Sequence, residues 1–171
     1  LSSFKIKCLV LKHKDEEKKL VSKMNYQDEI DYIVSNNRRN VFIKNLAVSL
    51  NGNTLLLFQY VDKHGRILYD KILESVDKNR KVFFVYGGTD AQTREQIRAI
   101  TEEERDAIIV ASYGTFSTGI NIRNLHNIIF ASPTKSRIRN LQSIGRGLRK
   151  GDNKDQAVLF DISDDLRHKA K

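Results

Sequence analysis

Five short apolar runs are separated by stretches of roughly helix length: Leu55 to Phe58, Val82 to Tyr86, Ala107 to Ala111, Asn127 to Ala131 and Ala157 to Phe160. Runs that are apolar on both faces, not only at alternate positions, suit central strands of a parallel sheet covered by helices on each side. Segments 62–75, 91–105 and 135–149 are the expected crossover helices. The connection from Ala111 to Asn127 reads differently, because Gly114, Gly119 and several hydroxyl residues stand where a regular helix would be. A long irregular connection after a strand is where open α/β sheets bind ligands. The fold class expected is therefore α/β, with a mainly parallel, helix-flanked sheet.

Upstream, Phe4, Ile6, Cys8 and Val10 alternate with Lys5 and Lys7, the period of a strand with one wetter face, and the polar run from Lys12 to Lys19 ends it. Ile30, Ile33, Val34, Val41, Leu46 and Leu50 fit one or two helices broken near Asn36 and Asn37, and Asn51-Gly52-Asn53 is a turn. Residues 1–50 thus read as a strand and helices leading into the main lobe, and 51–171 as its core. At 171 residues, 40% of them hydrophobic, one domain with a real core is expected. The single cysteine, Cys8, reads as a buried thiol of a reducing compartment, and the four histidines His13, His64, His126 and His168 read as surface or loop residues without metal-ligand spacing. No run approaches the ~20 apolar residues that span a bilayer, so a soluble, cytoplasmic protein without membrane partners is expected.

Net charge is +9, and its placement is uneven. Residues 1–50 carry ten Lys/Arg against six Asp/Glu, 51–131 ten against ten, and 132–171 ten against five. Segregated positive charge favours a polyanionic partner, since each neutralised phosphate releases condensed counterions. Taken alone, the same charge could simply be a solvated basic surface.

The chemistry concentrates between Arg137 and Lys150. On a helix, Ile138, Leu141, Gly145 and Leu148 form one stripe and Gln142, Arg146 and Arg149 the adjoining one. Two guanidiniums on successive turns repel each other, so the arrangement suggests an anion within reach of both, such as the terminal phosphates of a nucleotide. A basic surface helix would give the same stripe. The segment Gln142-x-x-Gly145-Arg146-x-x-Arg149 resembles motif VI of superfamily 2 helicases. That resemblance implies the second, RecA-like lobe of a two-lobed motor, with Arg146 and Arg149 as arginine fingers toward the ATP γ-phosphate and Gln142 beside the same phosphate or its attacking water.

Three further segments resemble motifs of that family in the family's order. Ile108 to Asn121 is similar to motif V, which implies backbone contact to nucleic acid by Ser112 and nucleotide contact by Gly119 and Asn121. Asn121 stands where the family usually has aspartate, and Gly147-Leu148 departs from its commoner pair before the last arginine. Leu55 to Val61 is similar to motif IV, which implies a nucleic-acid contact at Gln59. Val85-Tyr86-Gly87-Gly88-Thr89 with Arg94-Glu95 resembles the strand and turn that grip the tracked strand, making Gly88 and Thr89 candidate phosphate contacts. The run from Phe84 through Arg149 resembles in particular the recombination and replication-fork helicases of phages. This implies ATP-driven unwinding or branch migration of branched or forked DNA, in the cytoplasm of an infected host.

The sequence contains no Gly-x-x-x-x-Gly-Lys-[Ser/Thr], so ATP and Mg2+ would be held chiefly by a first RecA-like lobe outside these residues. Without it the chain is not expected to hydrolyse ATP or to bind a metal; Asp15-Glu16-Glu17 lies in a Lys-rich run and is not read as a metal box. Two other classes stay open at this point: a RecA-like nucleic-acid-binding module without ATP coupling, and an unrelated doubly wound nucleotide or sugar binder using Gly87-Gly88. The last lacks the Gly-x-Gly-x-x-Gly fingerprint.

Overall fold

A computed structural model describes residues 4–118, 122–133 and 157–166. They build a six-stranded sheet in the order β1-β6-β5-β2-β4-β3, every pairing parallel. The strands are β1 (Phe4–Leu11), β2 (Thr54–Phe58), β3 (Val82–Val85), β4 (Ile108–Ser112), β5 (Asn127–Phe130) and β6 (Ala157–Asp164). The helices are α1 (Asp15–Ser22), α2 (Tyr26–Ser35), α3 (Asn37–Ser49), α4 (Arg66–Ser75), α5 (Ala91–Glu103) and α6 (Tyr113–Thr118).

The runs that are apolar throughout are buried on both faces because successive side chains in a strand point opposite ways. Leu55 and Leu57 join Ile109, Ala111, Ile128, Phe130 and Leu159 on one face, beneath Ile97 of α5 and the Ile122–Leu125 stretch. Leu56 and Phe58 join Ile108, Val110, Ile129, Phe160 and Ile162 on the other, beneath Ile43 and Ala47 of α3 and Leu68 and Ile72 of α4. Polar residues start the helices where chain direction must change. Asn25, Asn36 and Asp90 each accept a bond from the amide three residues on, at 2.8, 3.0 and 2.7 Å, satisfying a donor that the first turn leaves free.

The turn at Gly52 needs glycine twice over: its φ is +97°, and a Cβ there would lie 2.7 Å from the His126 side chain. Beside it the buried Asn53 knits the amino ends of the strands together. Its Oδ1 accepts the Ala107 amide at 2.8 Å, while its Nδ2 donates to the carbonyls of Glu104 and Asn124, both at 2.8 Å.

Several expectations are corrected. Cys8 is exposed, as are Ile6 (50%) and Val10 (57%). The register explains this: Lys7, Leu9 and Leu11, not the alternating apolar set, share a face with Phe160 and Ile162, where Leu9 and Leu11 pack into the core. Lys7 lays its ammonium 5.7 Å from the Phe160 ring centre, its aliphatic stem standing in for an apolar residue. The polar run that ends β1 leads into α1, whose acidic first turn suits the helix dipole. His13 and His64 are buried. The helix expected over 62–75 is present and opens with a single wide π turn, Val61–Gly65, in which the Gly65 amide reaches back to the Tyr60 carbonyl at 2.8 Å. The Ala111–Asn127 connection opens with a short helix, α6, directly after β4. β1 pairs with β6, and Ile43 and Ala47 of α3 pack on the central strands. The expected helix over 135–149 and His168 lie outside the described residues.

Candidate functional site at the carboxyl ends of the strands

In a parallel sheet every strand ends on the same rim, so residues that follow different strands are brought together there. Phe58 is in register with Ser112, and Val85 with Ala111, so Gln59, Ser112 and the Gly87-Gly88-Thr89 turn form neighbouring parts of one rim. The chain leaves β2 toward the face covered by α4, whereas after β4 it packs Ile122 and Leu125 on the opposite face. A crevice opens between adjacent strands whose connections diverge in this way. Gln59 and Ser112 flank it.

Gln59 is exposed, and its backbone N–H donates to Ser132 Oγ at 3.1 Å. Ser112 is 9% exposed. Its hydroxyl pairs with that of Thr115 and accepts the Thr115 amide at 3.3 Å, fixing the first turn of α6. Gly88 is exposed and Thr89 half-buried. The Thr89 hydroxyl accepts the Tyr86 amide at 3.1 Å, so its own proton is free for another acceptor. Arg94 clamps the turn, Nε donating to the Thr89 carbonyl at 2.8 Å and Nη2 to the Gly87 carbonyl at 2.9 Å. A Cβ on Gly88 would lie 2.5 Å from the Tyr86 ring, so glycine allows the backbone to pass that ring. The Arg66 guanidinium stands 5.1 and 5.4 Å from the ring centres of Phe84 and Tyr86, adding a cation at the same rim.

Behind the rim lies a buried polar cluster that sequence reasoning missed. His64, fully buried, bonds Ser132 Oγ through Nδ1 at 2.6 Å and Asn40 Oδ1 through Nε2 at 2.9 Å. Burial foremost, and then the Arg39 charge, hold its pKa down at about 3, so the ring is neutral. Arg39, also buried, donates from Nε to both oxygens of Asp164 at 3.0 and 3.2 Å and from Nη1 to the Ala131 carbonyl at 2.6 Å. His13 meets the same Asp164 from the other side, Nε2 to Oδ1, at 2.9 Å. A signal for His64 was present: His64, Leu68 and Ile72 recur at i, i+4 and i+8, placing the imidazole in line with two core residues. Arg39 and Ile43 share a stripe in the same manner.

The other site residues expected from sequence, Gln142, Arg146, Arg149, Gly119 and Asn121, lie outside the described residues. Among the described residues no group of His, Cys, Asp or Glu could hold a metal ion, and no helix is long and apolar enough to cross a membrane.

The profile of the helicase conserved C-terminal domain matches residues 37–151. The chain belongs to that family. It is 37% identical, over its whole length, to the ATP-dependent DNA helicase uvsW of Enterobacteria phage T4, of which it spans 34%. The fold agrees: the crystal structure of T4 UvsW superposes with a TM-score of 0.82 at 38% identity over 95% of this chain and 33% of that one. The Sulfolobus solfataricus SWI2/SNF2 ATPase core in complex with dsDNA matches at a TM-score of 0.65 and 13% identity, covering 94% of this chain and 41% of that one, a likeness of fold. The chain thus spans about a third of the length of the phage relative. Its sheet is that of the RecA-like second lobe of superfamily 2 helicases, as the motif order implied.

Proposed function

We propose that this helicase C-terminal domain is the second lobe of an ATP-driven DNA helicase or translocase that remodels branched or forked DNA, taking part in recombination, repair or replication. Gln59, Ser112, Gly88 and Thr89 contact the phosphate backbone of the tracked strand. Gly119 and Asn121 face the nucleotide, and Arg146, Arg149 and Gln142 approach its terminal phosphate. The observation that carries the reading is the convergence of Gln59, Ser112 and the Gly87-Gly88-Thr89 turn on one rim, at the crevice between β2 and β4. Backbone-directed groups there, without a base-reading helix or ribbon among the assigned contacts, suit binding that is indifferent to sequence.

The sequence has no P-loop, so the β-phosphate and Mg2+ contacts are assigned to the first RecA-like lobe, and this lobe completes the site. ATP supplies the phosphoryl group transferred to water; the two guanidiniums would stabilise charge developing on it. In the full-length protein, Arg146→Ala or Arg149→Ala should lower DNA-stimulated ATP turnover by roughly 10²-fold or more while DNA affinity without nucleotide changes little. Arg→Lys should restore little, because an ammonium cannot reproduce a planar two-pronged contact. Normal hydrolysis in both alanine variants, with only DNA affinity lost, would reduce the domain to a nucleic-acid-binding module without ATP coupling.

A further inference from the structure

Ala131 and Ser132, both buried, are the point at which the chain leaves β5 for the segment carrying Gln142, Arg146 and Arg149. Both are held from several directions. The Ala131 amide donates to the Leu57 carbonyl at 2.9 Å, and the Ala131 carbonyl accepts Arg39 Nη1 at 2.6 Å. The Ser132 carbonyl accepts the Tyr113 hydroxyl at 2.9 Å, and the Ser132 hydroxyl is bonded by both Gln59 and His64. Gln59 and Tyr113 are the residues that directly follow β2 and β4, so the DNA-facing rim and this exit point share hydrogen bonds.

The polarity of the chain of bonds is determined. Asn40 donates its Nδ2 to the Val34 carbonyl at 2.9 Å, which leaves Oδ1 as the atom facing His64. Oδ1 can only accept, so His64 Nε2 carries the proton and Nδ1 is the acceptor. Ser132 Oγ–H therefore donates to Nδ1, and its lone pair takes the Gln59 amide. Every link has one direction: Gln59 N–H to Ser132 Oγ, Ser132 O–H to His64, His64 N–H to Asn40, Asn40 N–H to Val34. An unprotonated Nδ1 is what fixes the hydroxyl rotor of Ser132.

We propose that His64 is a positioning residue: through its bond to Ser132 it sets the exit of the segment carrying Arg146 and Arg149, and ties that exit to the DNA-contacting rim at Gln59. The inference rests on the proposed role of those arginines. It goes beyond that role by assigning a device that acts through Ser132 and touches neither nucleotide nor DNA. The π turn serves it, since the wide turn Val61–Gly65 brings His64 inward as Gly65 passes against the Phe58 ring, 2.6 Å from where a Cβ would sit.

The two amide replacements of histidine separate positioning from packing. In His64→Asn the shorter amide can offer its oxygen near the Nδ1 position and keep the Ser132 bond. In His64→Gln the longer amide can offer its nitrogen near Nε2, keeping Asn40 and losing Ser132. The experiment is steady-state ATP hydrolysis by the full-length protein with a synthetic forked DNA, with thermal melting of each variant. For His64→Gln and Ser132→Ala, kcat should fall about 10-fold, with KM for ATP and Kd for the fork changed less than about two-fold, as a small misplacement felt at the transition state predicts. His64→Asn and Ser132→Thr should retain kcat within about two-fold of wild type, Thr through its hydroxyl.

If His64→Asn and His64→Gln lose turnover equally, or if kcat simply follows melting temperature across the set, His64 is a core residue and the inference is overturned. Arg146→Ala, measured alongside, separates this from failure of the functional reading. A wild-type-like Arg146→Ala sinks the arginine assignment itself. A crippled Arg146→Ala beside identical His64 variants sinks the positioning role alone.

Discussion

Asp164 pairs with the buried Arg39 guanidinium, which makes Asp164→Asn a severe test of the structure. Its side chain and that of Arg39 are each only 1% exposed, and the guanidinium Nε lies 3.0 and 3.2 Å from the two carboxylate oxygens. Unit charges about 3 Å apart attract by about 5 kcal/mol at an effective dielectric near 20. Desolvation offsets much of that in the intact pair. Removing the negative partner alone forfeits the attraction and keeps the desolvation, for a net cost of about 3–5 kcal/mol. Arg39 has little to fall back on: Nη1 already serves the Ala131 carbonyl, and Nη2 is buried without a partner among the described residues. The loss is a third or more of a typical domain's stability. Urea unfolding of chain 1–171, followed by circular dichroism, measures it. Arg39→Met should cost about as much, and the double variant Arg39→Met/Asp164→Asn should cost at least about 2 kcal/mol less than the two singles added, since neither stranded charge remains. A cost below about 1 kcal/mol for Asp164→Asn would mean that water reaches the pair, and the buried network described here would be wrong.

Two further outcomes follow from the same cluster. His64 has its pKa lowered from 6.5 to about 3 in the fold, so its neutral state is favoured by folding. The stability this protects is intact above pH 6.5 and falls as pH drops toward 3, by about 1.4 kcal/mol per unit, or about 2 kcal/mol between pH 6.5 and 5. Urea midpoints across that range should fall more steeply for the wild type than for His64→Gln, and parallel profiles would show that the ring is protonated in the fold. Gly65→Ala would put a Cβ 2.6 Å from the Phe58 ring, which is fully buried and stacked on Phe84 at 5.5 Å, so overpacking should cost about 1–3 kcal/mol; an unchanged melting temperature would show that the ring can move aside.

The parallel sheet was legible because its central strands are apolar at every position. Leu55, Leu56, Leu57 and Phe58 can sit nowhere but between two covered faces; their register with Ile109, Val110, Ala111 and Ser112 is set by the pairing itself. β1 was misread for the opposite reason. An edge strand is paired on one side only, and Phe4-Lys5-Ile6-Lys7-Cys8-Leu9-Val10-Leu11 has apolar residues on both faces, so periodicity could not choose between them; the partner β6 chose Leu9 and Leu11. On the rim, Gln59, Gly88 and Thr89 follow their strands and Ser112 ends β4, since backbone direction alone decides which end a residue occupies.

What spacing could not supply was the network behind them. Residues separated by 24, 68 and 125 positions meet there, Asn40 with His64, His64 with Ser132 and Arg39 with Asp164, and no local pattern encodes such pairs. Yet two of its members announce themselves by a mismatch. His64 continues the stripe of Leu68 and Ile72, and Arg39 that of Ile43; a titratable or charged residue in line with a core face must either snorkel or find a buried partner. Both find partners, Arg39 at the carboxyl ends of β5 and β6, and His64 at the end of β5 and on α3. The polar intrusions into otherwise apolar stripes therefore point to the rim where the chemistry was assigned. A lobe built only for stability would have filled those positions with leucine, since apolar replacement of buried charged networks is often neutral or stabilising. Keeping a neutral imidazole and a paired guanidinium there fixes one geometry for Ala131 and Ser132, the last residues before the segment on which ATP coupling is proposed to depend.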